Sequence, residues 1–207
     1  MHSIRGNDNV NSSVLFLTLS HNVGSFDNAI GGFKMRKSSI DINGLKLDEF
    51  KKIELGISKI TRYFLCKQSM SQKKLQKLAY YSVAWHYALF DKPFAGVDLP
   101  FEAWVHGPVS RNLYSKYKGF KFNNIPKIKT EPDFSKYKND ELEILDFVWE
   151  NYGEFTANQL ETLTHTEDPW QKKRRGYGEL ESSSEVIGVE DMKKYYRKFI
   201  KNDGEIN

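Results

Sequence analysis

From Leu47 onward, apolar residues recur at the spacing of one buried helix face. Phe50, Ile53, Ile57, Ile60 and Phe64 follow one another at steps of three and four. Gly56 interrupts the stripe without ending it. Ser69 and Gln72 have the spacing of a capping box. They predict a second helix over about 70–90 with Leu75, Leu78, Ala79, Ser82, Trp85, His86 and Leu89 on one broad face, stopped by Asp91-Lys92-Pro93. Residues 99–105 alternate only loosely and read as a short extended segment, followed by turn chemistry at His106-Gly107-Pro108.

Further helices are expected at Arg111–Lys118, anchored by Leu113, Tyr114 and Tyr117, and from about Asp140 to Tyr152, with Leu142, Leu145, Val148, Trp149 and Tyr152 inward and Gly153 as its cap. Thr156 and Gln159 form a second capping box, opening a short helix with Leu160 and Leu163 that Pro169 follows. Val189, Met192, Tyr195, Tyr196 and Phe199 mark a last helix. The expected fold is a mainly α, compact single-domain bundle of five to six helices, with at most a short β segment near 94–106. Its domain spans 46–201, and 202–207 form a C-terminal tail.

Residues 1–34 break the pattern. They are rich in Asn, Ser and Gly and carry no helical stripe, and the Val14–Leu19 run has no local strand partner. A poorly ordered tail is expected there. Gly31-Gly32 can be encoded by a bacterial ribosome-binding sequence, which predicts that translation starts at Met35. A native mass that includes residues 1–34 would refute this.

Length and composition then narrow the classes. The 207 residues suit one ordinary domain, or a domain with a tail. No run approaches the roughly 18 consecutive apolar residues of a membrane helix. The best apolar run is too short for a secretory signal. A single cysteine, Cys66, rules out an internal disulfide, and a cytoplasmic setting is expected. The net charge of +4 is mild and falls wholly in residues 35–207. It is also segregated: 111–138 hold eight basic and two acidic residues, 140–170 hold nine acidic and no Lys or Arg, and Lys172-Lys173-Arg174-Arg175 follow. Glu143, Asp146 and Glu150 form one helical stripe. Either the acidic helix pairs with the basic connector or faces water, or Glu143, Asp146, Glu150, Lys172, Lys173, Arg174 and Arg175 belong to a charged docking surface.

Catalytic chemistry has little to stand on. His86, His106 and His165 with Glu102, Glu167 and Asp168 lack metal-ligand spacing, and no phosphate cradle or nucleophile elbow occurs. His86 reads as a hydrogen-bonded core residue. His106 reads as a turn residue satisfying a backbone group, and His165 as a donor or cation at a helix C-terminus. Cys66 reads as an inert thiol. No enzyme, metal or cofactor is expected, and a hydrolase or nuclease built on His106, His165 and Glu102 ranks last.

Two clusters nevertheless stand out. One is Lys74-Leu75-Gln76-Lys77-Leu78-Ala79-Tyr80-Tyr81 with Trp85-His86, followed by Phe101-Glu102-Ala103-Trp104-Val105-His106-Gly107-Pro108-Val109 and Tyr114. The other runs from Leu160 through His165 to Pro169-Trp170. Together they resemble the Panacea domain, the SocA-like family of phage- and mobile-element-associated proteins, over about residues 48–200. The chain departs from that pattern after Trp170, where Gln-Lys-Lys-Arg-Arg replaces an Ala-containing stretch.

The resemblance implies an antitoxin whose toxin is encoded by an adjacent gene and is neutralised by direct protein binding. Alternatives are an adaptor that delivers a toxin or host protein to a protease, and a DNA-binding regulator of its own operon; with no helix-turn-helix pattern, nucleic acid is the weaker partner. The family-motif positions are Gln76, Lys77, Tyr80, Tyr81, Trp85, Glu102, Trp104, His106, Gly107, Pro108, Tyr114, His165, Pro169 and Trp170. Two readings of them stay open. Glu102, His106 and His165 form a network fixing the turn, with the aromatics as pillars; or Trp104–Arg111 and His165–Trp170 line a groove for a partner segment.

Overall fold

A computed structural model describes residues 47–96 and 98–200, with side chains described from residue 51. The expected tails at 1–34 and 202–207, the Val14–Leu19 run and the Met35 start lie outside the described residues, as does the side chain of Phe50.

Among the described residues there are seven helices: α1 (Leu47–Lys67), α2 (Gln72–Phe90), α3 (Arg111–Tyr117), α4 (Asn139–Tyr152), α5 (Ala157–His165), α6 (Asp168–Arg174) and α7 (Val189–Tyr196). The fold is mainly α, as the periodicity implies. The helix beyond the expected five to six is α6. Pro169, which suggests a stop, sits in the first turn of α6, where its missing N–H costs nothing.

Two small antiparallel sheets complete the architecture. The hairpin strands β2 (Glu102–Trp104) and β3 (Gly107–Val109) pair Trp104 with Gly107 across a two-residue turn. This is the expected β segment, somewhat later in the chain than the window allowed. Glu185–Ile187 lie along its edge, with Ala103 N donating to Glu185 O at 2.8 Å and Ile187 N to Phe101 O at 2.8 Å. The second sheet was not anticipated: β1 (Met70–Ser71) pairs with β4 (Asn124–Ile125). That pairing holds Ser69 outside α2. Its hydroxyl donates to Ile125 O, and Ser71 rather than Ser69 caps the helix by accepting from Lys74 N. The Thr156–Gln159 capping box forms as expected, with Thr156 N donating to Gln159 Oε1 and Gln159 N to Thr156 Oγ1.

The core is organised around α2. The expected apolar face is buried, apart from a half-buried Leu89, but so is nearly every other residue of the helix, including Gln76, Lys77, Tyr80 and Tyr81. The cause is tertiary: α1, α3, α4, α5 and α7 all pack against it, leaving it no solvent face. Ile53, Ile57, Ile60 and Phe64 of α1 are buried as their spacing requires, and Ile144, Leu145 and Val148 of α4 meet α2 from the other side. A helix surrounded on all sides must satisfy its polar side chains internally.

Candidate functional site

The first two turns of α2 grip the peripheral backbone. Gln72 Nε2 donates to Tyr114 O at 3.0 Å, and Lys74 Nζ to Gly153 O at 2.5 Å. Gln76 closes a two-way pair with Ser110, donating to its carbonyl at 3.1 Å and accepting from its amide at 2.9 Å. Lys77 Nζ donates to Pro108 O at 3.1 Å. Full burial, and next the charge of Lys73, hold the Lys77 amine well below the usual ammonium range.

Gly107 sits directly above this lysine with φ +90°. A Cβ there would lie 2.7 Å from Lys77 Nζ and 2.7 Å from Thr164 Oγ1. The His-Gly-Pro turn thus needs glycine twice, for its backbone angle and for its close approach to α2.

Around this turn the two sequence clusters meet. Trp170 Nε1 donates to Trp104 O at 2.9 Å. The Trp170 ring stacks on His165 at 4.0 Å and 13°, and the Arg174 guanidinium lies 5.8 Å from its centre. Trp104 Nε1 donates to Glu102 Oε2 at 2.8 Å, Arg111 Nε donates to Glu102 Oε1 at 2.5 Å, and Tyr114 packs 5.2 Å from the Trp104 ring. His106 Nδ1 pairs with Glu161 Oε1 at 2.8 Å, and Glu161 also receives Lys73.

Glu102, His106 and His165 are therefore not one network. Glu102 serves Arg111 and Trp104, His106 serves Glu161, and His165 serves Trp170. His106 does not satisfy a backbone group with its imidazole; its side chain is 72% exposed and holds a carboxylate instead. His165 is not a helix-end cation. Burial first, then the nearby charges of Lys77 and His106, push it down to about 4, with a backbone hydrogen bond to Val105 opposing the shift. It is neutral at pH 7, and its Nε2 is buried without a hydrogen-bond partner.

Between the clusters lies a cleft of about 360 Å³. Val105 and His106 come from the hairpin turn, Glu161 and His165 from α5, and Trp170 and Arg174 from α6, with residues 177–180 closing one side.

A second buried group was missed by sequence reasoning. Glu167, at the start of α6, accepts from Tyr81 Oη at 3.1 Å and Tyr196 Oη at 2.7 Å. Burial pushes its carboxyl up to about 8 against those two hydrogen bonds. Tyr81 stacks on Tyr152 at 4.1 Å, Trp85 Nε1 donates to Tyr152 Oη at 3.0 Å, and Tyr80 packs edge-on against Tyr81. Tyr80, Tyr81 and Trp85 are thus core pillars tied to α4, α6 and α7. The only hint in the sequence is a carboxylate beside Pro-Trp, and its tyrosine partners come from distant segments.

The charged positions separate likewise. Arg174 leaves the candidate docking surface, because it is buried and its guanidinium donates to the carbonyls of Gly178, Glu179 and Glu181. Lys172 pairs with Asp191 at 2.7 Å, Lys173 is half-buried, and Arg175 is exposed. Glu143 and Glu150 face solvent, while Asp146 accepts from Tyr63 Oη. The carboxylates of α4 that do form ion pairs reach α1 and the end of α2, not the basic connector. Glu141 pairs with Lys59 at 2.6 Å and Asp140 with Lys92 at 2.5 Å. His86 is a core residue as expected, held between Lys92 O at 2.8 Å and Asp140. Cys66 is half-buried with its thiol on Thr130 O, and burial raises its pKa.

The polar groups of this region mostly satisfy one another. In a comparison with known families, residues 75–171 match the family described as antitoxin SocA-like, Panacea domain. That span takes in both motif clusters apart from Lys74, and over it the chain is similar to the SocA-like Panacea domain. No curated protein and no solved structure matches it. Among the described residues, no helix is long and apolar enough to cross a membrane, and no group of three or more His, Cys, Asp or Glu is placed to hold a metal ion.

Proposed function

We propose that this protein is an antitoxin that neutralises a cognate protein toxin by direct protein–protein binding in the cytoplasm, with residues 46–201 as its working domain. The match of residues 75–171 to the SocA-like Panacea domain carries this reading. The site supports it. Glu102, Glu161 and Trp170 are committed to internal contacts that hold the hairpin, α5 and α6 together, as a binding platform requires. The toxin is the product of an adjacent gene.

The test is co-expression. Growth should be restored when this chain accompanies the adjacent gene product, and the two should co-purify. An adjacent product that is harmless when expressed alone sinks the reading for that pair. Rescue without a stable complex, accompanied by a fall in toxin level, would replace direct neutralisation with delivery to a protease.

A further inference from the structure

One surface feature is not used by the site described above. After α3 a short 3-10 turn, Lys118–Phe120, leads into a reversal closed by Asn123 N donating to Phe120 O at 2.9 Å. The first corner residue is Lys121, with φ 51° and ψ −114°. These are the angles of a type II′ turn at the corner where glycine is the ordinary occupant. A lysine here holds a strained backbone, although Gly119 stands two residues away.

The strain has a geometric result. In an extended chain Phe120 and Phe122, two residues apart, would point to the same side. Here Phe120 packs inward, 6.3 Å from Tyr117, while Phe122 is 100% exposed. The base of the turn is firm. Asn124–Ile125 pair with Met70–Ser71, Ile125 is buried, and Ile128 N donates to Leu65 O at 2.9 Å. Lys118, Lys121, Lys127 and Lys129 lie within seven residues of Phe122 along the chain. All four are exposed, none forms an ion pair among the described residues, and no acidic residue occurs between 112 and 130.

We infer that this turn is a contact anchor for the toxin, with Phe122 entering an apolar pocket on a partner whose rim is acidic. The inference rests on the antitoxin reading and adds to it the chemistry of the partner surface. A lone exposed aromatic on a basic segment with no acidic residue suits a protein-interface anchor. The lysines supply charge complementarity and orient the encounter. Single-stranded nucleic acid instead asks for several aromatic faces for successive bases. Phe120, the one neighbour that could supply a second face, is turned onto Tyr117.

The experiment uses the full chain co-expressed with the adjacent gene product, reading growth, complex affinity and melting temperature. Phe122→Ser should weaken the complex by at least about tenfold and reduce protection, with an unchanged melting temperature. Lys118→Glu combined with Lys129→Glu should slow association and flatten its dependence on salt. Lys121→Gly, which relaxes the backbone and leaves the ring in place, should retain binding and raise the melting temperature. A Phe122→Ser protein that binds and protects like the parent overturns the anchor and leaves the antitoxin reading intact. Loss of binding only to a labelled single-stranded RNA oligonucleotide also overturns it, in favour of nucleic acid. If the parent chain neither protects nor forms a complex, the antitoxin reading fails and the anchor with it.

Discussion

Replacing Gly107 by alanine tests the contact between the hairpin turn and the central helix. An L-residue held in the left-handed region costs about 1–2 kcal/mol. The new Cβ also falls 2.7 Å from Lys77 Nζ and Thr164 Oγ1 and 2.8 Å from Lys77 Cε. Lys77 is fully enclosed and bonded to Pro108 O, so it has little room to yield. Overpacking of this kind costs about 1–3 kcal/mol. The reduced freedom of the unfolded chain returns less than about 1 kcal/mol. The expected net loss is about 2–4 kcal/mol, on the order of 10 °C in melting temperature for a domain of this size. Urea denaturation followed by circular dichroism measures it.

Pairing the change with Lys77→Ala separates the two causes. Removing the amine abolishes the clash but not the backbone strain, so the double variant should be less destabilised than the sum of the singles by about 1–3 kcal/mol. Strict additivity, or a loss below about 1 kcal/mol for Gly107→Ala alone, would refute the reasoning.

Other perturbations probe different parts of the structure. Glu167 is held at about 8 when folded and lies near 4.3 when unfolded, so the folded state binds more protons between those values. Its contribution is fully present below about pH 4 and is lost as pH rises to about 8, at up to about 1.4 kcal/mol per pH unit. Glu167→Gln should flatten that slope in urea titrations across pH 5–8, and an unchanged slope would rule the carboxyl out as its source. Trp170→Ala removes the stack on His165 and the bond to Trp104 O, with an expected loss of about 2–4 kcal/mol. A stable Trp170→Ala fold that no longer protects would assign the ring to the partner instead. Lys59→Met strands the buried Glu141 carboxylate and should cost about 3 kcal/mol, most of it recovered on adding Glu141→Gln. Equal melting temperatures for the two variants would count against a paired interior charge.

Local periodicity served well where one helix face meets the core. The stripe Ile53–Phe64 follows from spacing, as do Leu145 and Val148 of α4, and the Thr156–Gln159 box from capping chemistry. On α4 the expected Leu142, Trp149 and Tyr152 are only half-buried, while Ile144 and Phe147, not expected inward, are buried. Three features were not legible, for physical reasons. α2 shows an amphipathic face in sequence, yet five helices enclose it, and nothing local announces that Gln76 and Lys77 will be buried. β1 and β4 are two residues each, too short to carry an alternating pattern, and Met70 pairs with the distant Ile125 and Ser71 with Asn124. α6 was obscured by Pro169, which breaks a helix interior but suits its first turn. In the site, the two motif clusters are indeed brought together, but which side chain partners which was set by the tertiary arrangement. Arg111 takes Glu102, Glu161 takes His106, and Glu167 turns inward to the tyrosines.

The bonds that Gln72, Lys74, Gln76 and Lys77 make from the first two turns of α2 end on main-chain atoms: the carbonyls of Tyr114, Gly153 and Pro108, and both polar groups of Ser110. Every residue other than proline offers the same carbonyl and amide. The grip is therefore indifferent to the side chains that the held segments carry outward. Residues such as Lys118, Lys121 and Phe122, whose side chains take no part in these bonds, can be exchanged without loosening them. An interior helix whose first two turns hold backbone leaves the outward side chains of those segments free to change without cost to that attachment.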